Sequence, residues 1–345
     1  MRQTSEWVSL GHPDKMADYI ACYLLDRYIE KDPMVRFAVE VQIKDWFVTL
    51  AGEVSSTVHF SDRQLREFVK EAVYEIGYTA QYQRAWYSCN TICSADLKVA
   101  IHISQQSPDI GQGVDFGGWG DQGIFWGMAV RKSPTMMPLD YQIAKTLGRR
   151  LFDHRRDYNV GLDIKTQVTL EGTKVRQVIV AAPYLGEEKM KNHWVLDPIR
   201  QWLGEAGKGA ELIFNGTGRF TIHGPMGDAG VAGRKLAVDF YGGNCRIGGG
   251  SPWTKDPSKA DLTLNLYARK LAMKKLGSCY ADIVYCAISC CIGRPEIDVV
   301  FYNQNLVQIG AHREKRPPAE IIAELRLRQP TYTKRCREGL FFDIQ

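Results

Sequence analysis

Gly11-His12-Pro13-Asp14-Lys15 sets a histidine, a carboxylate and an ammonium group around the start of a predicted helix. Proline suits the first helical position, and a helix start presents unpaired N–H groups and a positive dipole end. His12 can donate there to a phosphate oxygen, while Asp14 can hold a Mg²⁺ that bridges phosphates. The bland alternative is a capped helix whose first-turn acid complements the dipole. A second segment, Gly248-Gly249-Gly250-Ser251-Pro252-Trp253-Thr254-Lys255-Asp256-Pro257-Ser258-Lys259-Ala260-Asp261, points more firmly to function. Three glycines permit close backbone approach to a ligand. Asp256 and Pro257 read as the cap and first residue of a helix. Lys255 and Lys259 sit four residues apart, so both ammonium groups can reach one polyanion, and Asp261 follows where a metal ligand would.

A third region runs Asn215-Gly216-Thr217-Gly218-Arg219-Phe220, then Gly224-Pro225-Met226-Gly227-Asp228-Ala229-Gly230, then Gly233-Arg234-Lys235. A strand over 211–214 and an acid at Asp239 suggest a dinucleotide fold, but glycines and Pro225 follow where that fold needs a helix. A glycine-rich surface with an aromatic ring, an acid and an Arg-Lys pair suits a nucleoside and its phosphates, with Phe220 able to stack on a base. The fourth region, Gln106-Ser107-Pro108-Asp109-Ile110 with Gly120-Asp121-Gln122-Gly123, has the small polar composition of a lid and equally that of a plain connection. No Gly-x-Ser-x-Gly elbow, Walker loop, Cys-x-x-Cys pair or zinc-spaced histidine pair occurs. Nine irregularly spaced cysteines read as free thiols in a reducing compartment.

These segments need a scaffold, and periodicity supplies a recurring one. Residues 13–28 are predicted helical, 35–43 and 47–54 form a hairpin, and Ser61-x-x-Gln64 caps a second helix that stops at Gly77. A strand at 97–103 completes the unit. The order returns with a helix at 140–157, strands at 166–170 and 174–182, a helix at 187–203 and a strand at 211–214. It returns again with a helix at 257–276, strands at 281–292 and 297–302, and a helix at 319–327. The hairpin tips fall about 125 residues apart, a domain-sized interval. The expected fold is therefore α+β: three related units in a pseudo-threefold arrangement. The expected divisions are 1–104, a lid at 105–123, 124–216 and 217–345. Of the 345 residues 45% are hydrophobic and 24% charged, an ordinary globular balance that excludes disordered and collagenous chains. No apolar run approaches membrane-spanning length, and no secretory signal opens the sequence, so a cytoplasmic protein is expected. A net charge of +5 is mild: it fits an anionic small molecule and lacks the dense basic stripe of a nucleic-acid binder.

Taken together, the motifs resemble the methionine adenosyltransferases (S-adenosylmethionine synthetases). The shared residues are Gly-His-Pro-Asp-Lys at 11–15, Gln-Ser-Pro-Asp-Ile at 106–110, Gly-Asp-Gln-Gly at 120–123 and Thr-Gly-Arg-Phe at 217–220. They continue with Gly-Asp-Ala-Gly at 227–230, Gly-Arg-Lys at 233–235 and Lys-Asp-Pro-Ser-Lys at 255–259. The resemblance implies attack of the methionine sulfur on the ribose C5′ of ATP, loss of the whole triphosphate, and its hydrolysis to pyrophosphate and phosphate. A neutral thioether needs no general base; the barrier lies in the charge developing on the leaving group. By the same resemblance, His12, Lys165, Arg234 and Lys255 are catalytic, and His12 bonds the oxygen that leaves C5′. Asp163, Lys165, Arg219, Phe220, Asp228, Arg234, Lys235, Ser251, Lys255 and Lys259 line the ATP and polyphosphate site. Glu53, Gln106, Asp121, Asp228 and Lys259 touch methionine. Glu6, Asp14 and Asp261 hold two magnesium ions per site, and Glu40 holds potassium. The family builds its sites between subunits, which implies a homodimer or dimer of dimers, with ATP and methionine as ligands and neither nucleic acid nor membrane.

The chain departs from the family pattern at Leu10 (usually Glu), Gly216 (Pro), His223 (Gly) and residues 251–254, and its lid is short. Two other readings stand beside an active transferase: a non-catalytic nucleotide-binding regulatory homologue, and a tripolyphosphatase that ignores methionine.

Overall fold

Each predicted hairpin forms, and each turns at a residue in the left-handed backbone region: Asp45 (φ 51°), Gly172 (φ 64°) and Gly293 (φ 72°). The computed structural model describes residues 2–86, 91–105, 117–185 and 193–344. Residues 106–116, which include Gln106 and most of the expected lid, and residues 187–192 of an expected helix lie outside them.

The three hairpins build three four-stranded sheets. In the first, β2 (Arg36–Lys44) and β3 (Phe47–Ser55) are joined by β4 (Lys98–Ser104), parallel to β3, and by β9 (Gly230–Val231), antiparallel to β2. In the second, β6 (Lys165–Glu171) and β7 (Lys174–Ala181) are flanked by β8 (Glu211–Phe214) and by β1 (Arg2–Val8). In the third, β10 (Ile283–Cys290) and β11 (Glu296–Asn303) are flanked by β12 (Gln308–Lys315) and by β5 (Gly123–Val130). The exchange of edge strands is cyclic. The start of the chain lends β1 to the second sheet, the middle lends β5 to the third, and the last part lends β9 to the first. Helix α1 (Pro13–Ile29) packs on the first sheet, α4 (Leu139–Asp153) on the second and α7 (Ala260–Gly277) on the third. This is the expected α+β fold of three related units.

The remaining helices are α2 (Asp62–Ile76), α3 (Ala80–Ala85), α5 (His193–Leu203), α6 (Leu236–Asp239), α8 (Pro318–Glu324) and α9 (Tyr332–Glu338). The predicted capping box of α2 is present, with Ser61 and Gln64 each accepting from the other's backbone N–H. Three expectations need correction. The third unit holds a strand its expected order lacks: β12, a largely charged edge strand, follows the hairpin directly and pairs antiparallel to β11. Helix α4 stops at Asp153, since residues 154–157 are His-Arg-Arg-Asp and offer nothing apolar to bury. Asp256 is not a helix cap: α7 begins at Ala260 after Lys259, and Asp256 instead accepts from the Phe37 and Ser258 amides at 2.9 and 2.8 Å. Its carboxylate ties the segment to β2.

Helix α1 is buried on all sides, with only Arg27 outside the core. It nevertheless carries His12 at its cap and Asp14, Lys15, Asp18 and Asp26 within. Buried charges require partners, so these residues dictate what folds against α1. Asp26, near its C-terminal end, accepts from Tyr332 N at 2.9 Å, Thr333 N at 2.8 Å and Thr333 Oγ1 at 2.7 Å. A side chain of α1 thus satisfies the first amides of α9, which no residue of α9 itself caps. We expect Asp26→Ala to cost roughly 2 kcal/mol, the value of a lost cap plus unsatisfied buried amides. A lower urea midpoint with unchanged slope is the check.

Candidate functional site

His12 closes the start of α1 as predicted: its Nδ1 accepts the Asp14 N–H at 3.2 Å. An accepting Nδ1 leaves the proton of a neutral ring on Nε2, so His12 presents an N–H donor. The ring is buried, and burial, with Lys165 and Lys235 nearby, pushes its pKa down to about 3. It stays neutral across the physiological range. Gly11, just before it, has no room for a Cβ, which would strike the backbone of Leu162. That contact holds the His12 turn against the segment carrying Asp163 and Lys165.

Asp14 gathers the cations. Lys235 Nζ lies 2.5 Å from its Oδ2, Arg234 lies 3.8 Å away, and the Val231 amide donates to Oδ1 at 2.9 Å. Burial opposes ionisation of Asp14, but the Lys235 and Val231 hydrogen bonds outweigh it and hold the carboxyl below its usual range. Asp163 is buried too and accepts the Gly224 N–H at 3.0 Å, yet its Oδ1 has no partner. Burial raises it to about 6, against the pull of that amide and of Lys165, while Asp228 pushes it further up. Glu6 sits on exposed sheet surface diagonally across from Lys165, since Glu6 opposes Gln167 and Val8 opposes Lys165. Eight predicted residues therefore meet around the start of α1: Glu6, His12, Asp14, Asp163, Lys165, Asp228, Arg234 and Lys235.

A second group forms at the start of α7. Lys255 is ion-paired with Asp261, whose other oxygen accepts the Gly250 amide at 2.8 Å. A Cβ at Gly249, where φ is +74°, would lie 2.7 Å from Asp261, so the predicted close approach is made to this carboxylate. Asp121 belongs here as well: it and Asp261 both bear on the Cys290 thiol, which burial, then Asp121, pushes up to about 12. Lys259 is half-buried and makes no ion pair among the described residues.

One strand positions both groups. The antiparallel edge of β2 receives Gly230–Val231 opposite Gln42 and Ile43, and then Lys255 opposite Ala38. Four residues of strand separate the two contacts, about 13 Å. Ser251 closes the distance further, because it fills the space where a Gly233 side chain would stand. Even so, no described hydrogen bond or ion pair joins the Asp14 group to the Asp261 group. Glu40 and Glu53 lie on the outer face of the same sheet, away from α1; Glu40 accepts from Thr254 Oγ1 at 3.0 Å. Arg219 is exposed, and Phe220 is half-buried with its carbonyl accepting from Tyr184 N. Among the described residues no group of three or more His, Cys, Asp or Glu side chains stands ready to hold a metal ion. Glu6, Asp14 and Asp261 are single carboxylates on separate elements.

Supporting residues were missed. Lys15, within the first motif, pairs with Asp18 at 2.9 Å and Asp239 at 2.6 Å and lies over the Trp253 ring. Trp253 Nε1 donates to the other Asp239 oxygen at 2.8 Å, so the acid considered for a ribose is a buried strut instead. The i, i+3 spacing of Lys15 and Asp18 was the available signal. Tyr78 donates to Gly11 O at 2.8 Å, and Tyr82, which receives the Leu162 amide at 3.0 Å, contacts His223 Nε2 at 2.6 Å. His223, one of the departures from the family pattern, thereby ties the Asp163 and Gly224 segments together. No local pattern announces such tertiary bonds.

Three family models match in order along the chain. They are the N-terminal domain of S-adenosylmethionine synthetase over residues 1–108, its central domain over 117–220 and its C-terminal domain over 222–344. The chain belongs to the S-adenosylmethionine synthetase family. It is 34% identical over 382 residues to an S-adenosylmethionine synthase of Parafrankia sp. (strain EAN1pec), and 33% identical over 364 residues to that of Wolinella succinogenes. Each alignment covers 98% of this chain and 92% of the relative. A solved structure of an unusual S-adenosylmethionine synthetase from Campylobacter jejuni superposes with a TM-score of 0.87 at 27% identity, over 99% of this chain and 94% of that one. The three-unit fold is thus the synthetase fold. Among the described residues no helix is long and apolar enough to cross a membrane.

Asp163 gives the synthetase a pH signature. A carboxyl near 6 when folded and near 3.8 when unfolded binds more protons in the native state, so its contribution to stability falls as pH rises from 4 to 7. Relative to Asp163→Asn, the wild type should lose up to about 3 kcal/mol over that window. Urea unfolding of both proteins at pH 4.5 and 7 measures the difference; a constant gap would remove Asp163 from the buried site.

Proposed function

We propose that this chain makes S-adenosylmethionine: methionine sulfur attacks the ribose C5′ of ATP, the triphosphate leaves whole, and its hydrolysis to pyrophosphate and phosphate follows. The observation that carries this reading is a neutral, buried His12 whose proton sits on Nε2, beside Lys165 and Lys235. Such a donor suits the bridging oxygen that gains charge as the C5′–O bond breaks, and fixed donors in a dry site contribute far more than water does. The nucleophile is an uncharged thioether, so this chemistry calls for no activated serine or cysteine and no general base. Lys165, Arg234 and Lys235 receive the phosphates on one side, Lys255 and Lys259 on the other, and Arg234 serves the hydrolytic step. Asp163 Oδ1, buried and unpartnered, is an acceptor for a nucleoside hydroxyl. Arg219, Phe220 and Ser251 line the nucleoside pocket. Glu53, Gln106, Asp121 and Asp228 receive methionine, with residues 105–123 as the covering segment.

Asp14, Asp261 and Glu6 fit magnesium in one respect: each offers a lone carboxylate, and this ion commonly takes one or two protein carboxylates and completes its shell with phosphate oxygens and water. When bound, it offsets the charge released on the triphosphate. Glu40 and Thr254 Oγ1 supply two adjacent oxygens suited to potassium. Among the described residues no bond links the two cation groups, and the face of the first sheet bearing Ala38, Glu40, Ala51, Glu53 and Ala100 is exposed or half-exposed. Both features support a homodimer or dimer of dimers whose sites are completed across that face. The reaction is assigned to the cytoplasm.

Incubation with ATP, Mg²⁺ and K⁺, with and without methionine, is the direct test. Sulfonium product is expected only with methionine. Phosphate released equally without methionine would indicate a polyphosphatase, and no product at all would indicate a regulatory homologue. His12→Ala and Lys255→Ala should each lower kcat roughly a hundred- to a thousandfold with the fold intact by circular dichroism; near-normal turnover in both would refute the assignment. Asp14→Asn should raise the Mg²⁺ concentration for half-maximal rate at least severalfold, and an unchanged requirement would take Asp14 out of the metal site.

A further inference from the structure

A cavity of about 920 Å³ opens between the turn at 134–137, α4, α7 and the C-terminal segment 339–344. It lies apart from every residue assigned above. Met136, Met137, Met273, Phe341 and Phe342 give it apolar and adaptable walls. Four cationic side chains line it (Lys145, Arg149, Arg150 and Arg269) against a single lining carboxylate, Asp153, which is exposed.

The charges are unevenly compensated. Arg149 is satisfied by Glu338, with contacts of 2.5 and 3.1 Å, and exposed Arg150 lies over the Trp202 ring. Neither Lys145 nor Arg269 makes an ion pair among the described residues; Glu338, which pairs with Arg149, acts on Lys145 from beyond ion-pair distance. Lys145 donates to the Glu338 carbonyl, and burial, reinforced by Arg149 and only partly opposed by the Glu338 carboxylate, lowers it to about 8. Arg269, only 2% exposed, donates to the carbonyls of Met136 at 3.0 Å, Thr135 at 2.8 Å and Met128, and its Nε has no partner. Carbonyl dipoles orient these groups without cancelling their charge, and a buried cation without a counter-charge is costly.

We propose that this cavity is a binding site for a small amphiphilic anion: a carboxylate, sulfonate or phosphate on an apolar, aromatic-sized body. The acid group would meet Lys145 and the body would lie on the methionine and phenylalanine walls. The volume suits such a molecule, since small-ligand sites span about 300–1,000 Å³. The assignment is independent of the transferase reading, because the cavity shares no residue with that site.

Titration of the full chain with 8-anilinonaphthalene-1-sulfonate, followed by fluorescence, tests it. One saturable site per chain is expected. Lys145→Met should weaken binding at least tenfold, and Thr146→Trp, which brings a ring into the mouth from an exposed position, should abolish it. The uncharged N-phenyl-1-naphthylamine should bind at least tenfold more weakly than the sulfonate. Any transferase activity should be unaltered in both variants. Wild-type affinity for the sulfonate in Thr146→Trp would overturn the proposal even if Lys145→Met failed to fold. Equal affinity for the charged and uncharged probes would overturn its anionic character.

Discussion

The polar residues of a helix with no exposed face organise this molecule. Apolar burial alone would let α1 sit against the first sheet in several ways, but each of its charges admits few partners. Asp14 requires Lys235 and the Val231 amide, Lys15 requires Asp239, Asp18 receives the Gly233 amide at 2.8 Å, and Asp26 takes the start of α9. Four turns of helix thus specify where the segment 230–239 and the C-terminal segment dock. Leaving any of these groups unpaired inside the protein would cost several kcal/mol. The segment 230–239, with the two residues that follow it, also buries Ala232, Val238, Phe240 and Tyr241, and these polar bonds fix where those side chains pack.

The same pairing orients two ammonium groups that the proposed function assigns to phosphate binding. Lys235 and Lys255 are each held by one carboxylate, Asp14 and Asp261, on a rigid element start. Their ammonium groups are oriented before any ligand arrives, which lowers the entropy cost of binding. On the proposed function, a polyphosphate would add to these cations or draw them from their carboxylates, freeing those for a divalent ion. His12 contributes differently. Burial and neighbouring cations keep it uncharged, so it remains a directional donor at neutral pH and adds no charge to a crowded cluster.

Much of this was legible in the residues. The hairpins, the capping box at Ser61 and the helix start at Pro13 follow from periodicity and local hydrogen bonding, which act over a few residues. The chemistry-bearing motifs were legible because glycine, proline and paired charges are informative at short range. What escaped notice has long-range causes. The strand-swapped edges β1, β5 and β9 are defined by partners in other parts of the chain. Asp256 looked like a cap because Pro257 follows it, whereas β2 claims its carboxylate. Lys15, Asp239 and Trp253 form a strut spanning more than two hundred residues, and Tyr82 with His223 joins segments that no local pattern relates.

The central claim is that two separately positioned cation groups, one at each helix start, receive a single chain of phosphates. Isothermal titration of magnesium imidotriphosphate into the wild type, Lys235→Met and Lys255→Met tests it without requiring turnover. Saturable binding at one equivalent per chain, weakened at least tenfold by either substitution and steeply by added salt, is the expected result. Wild-type affinity in both variants would contradict it.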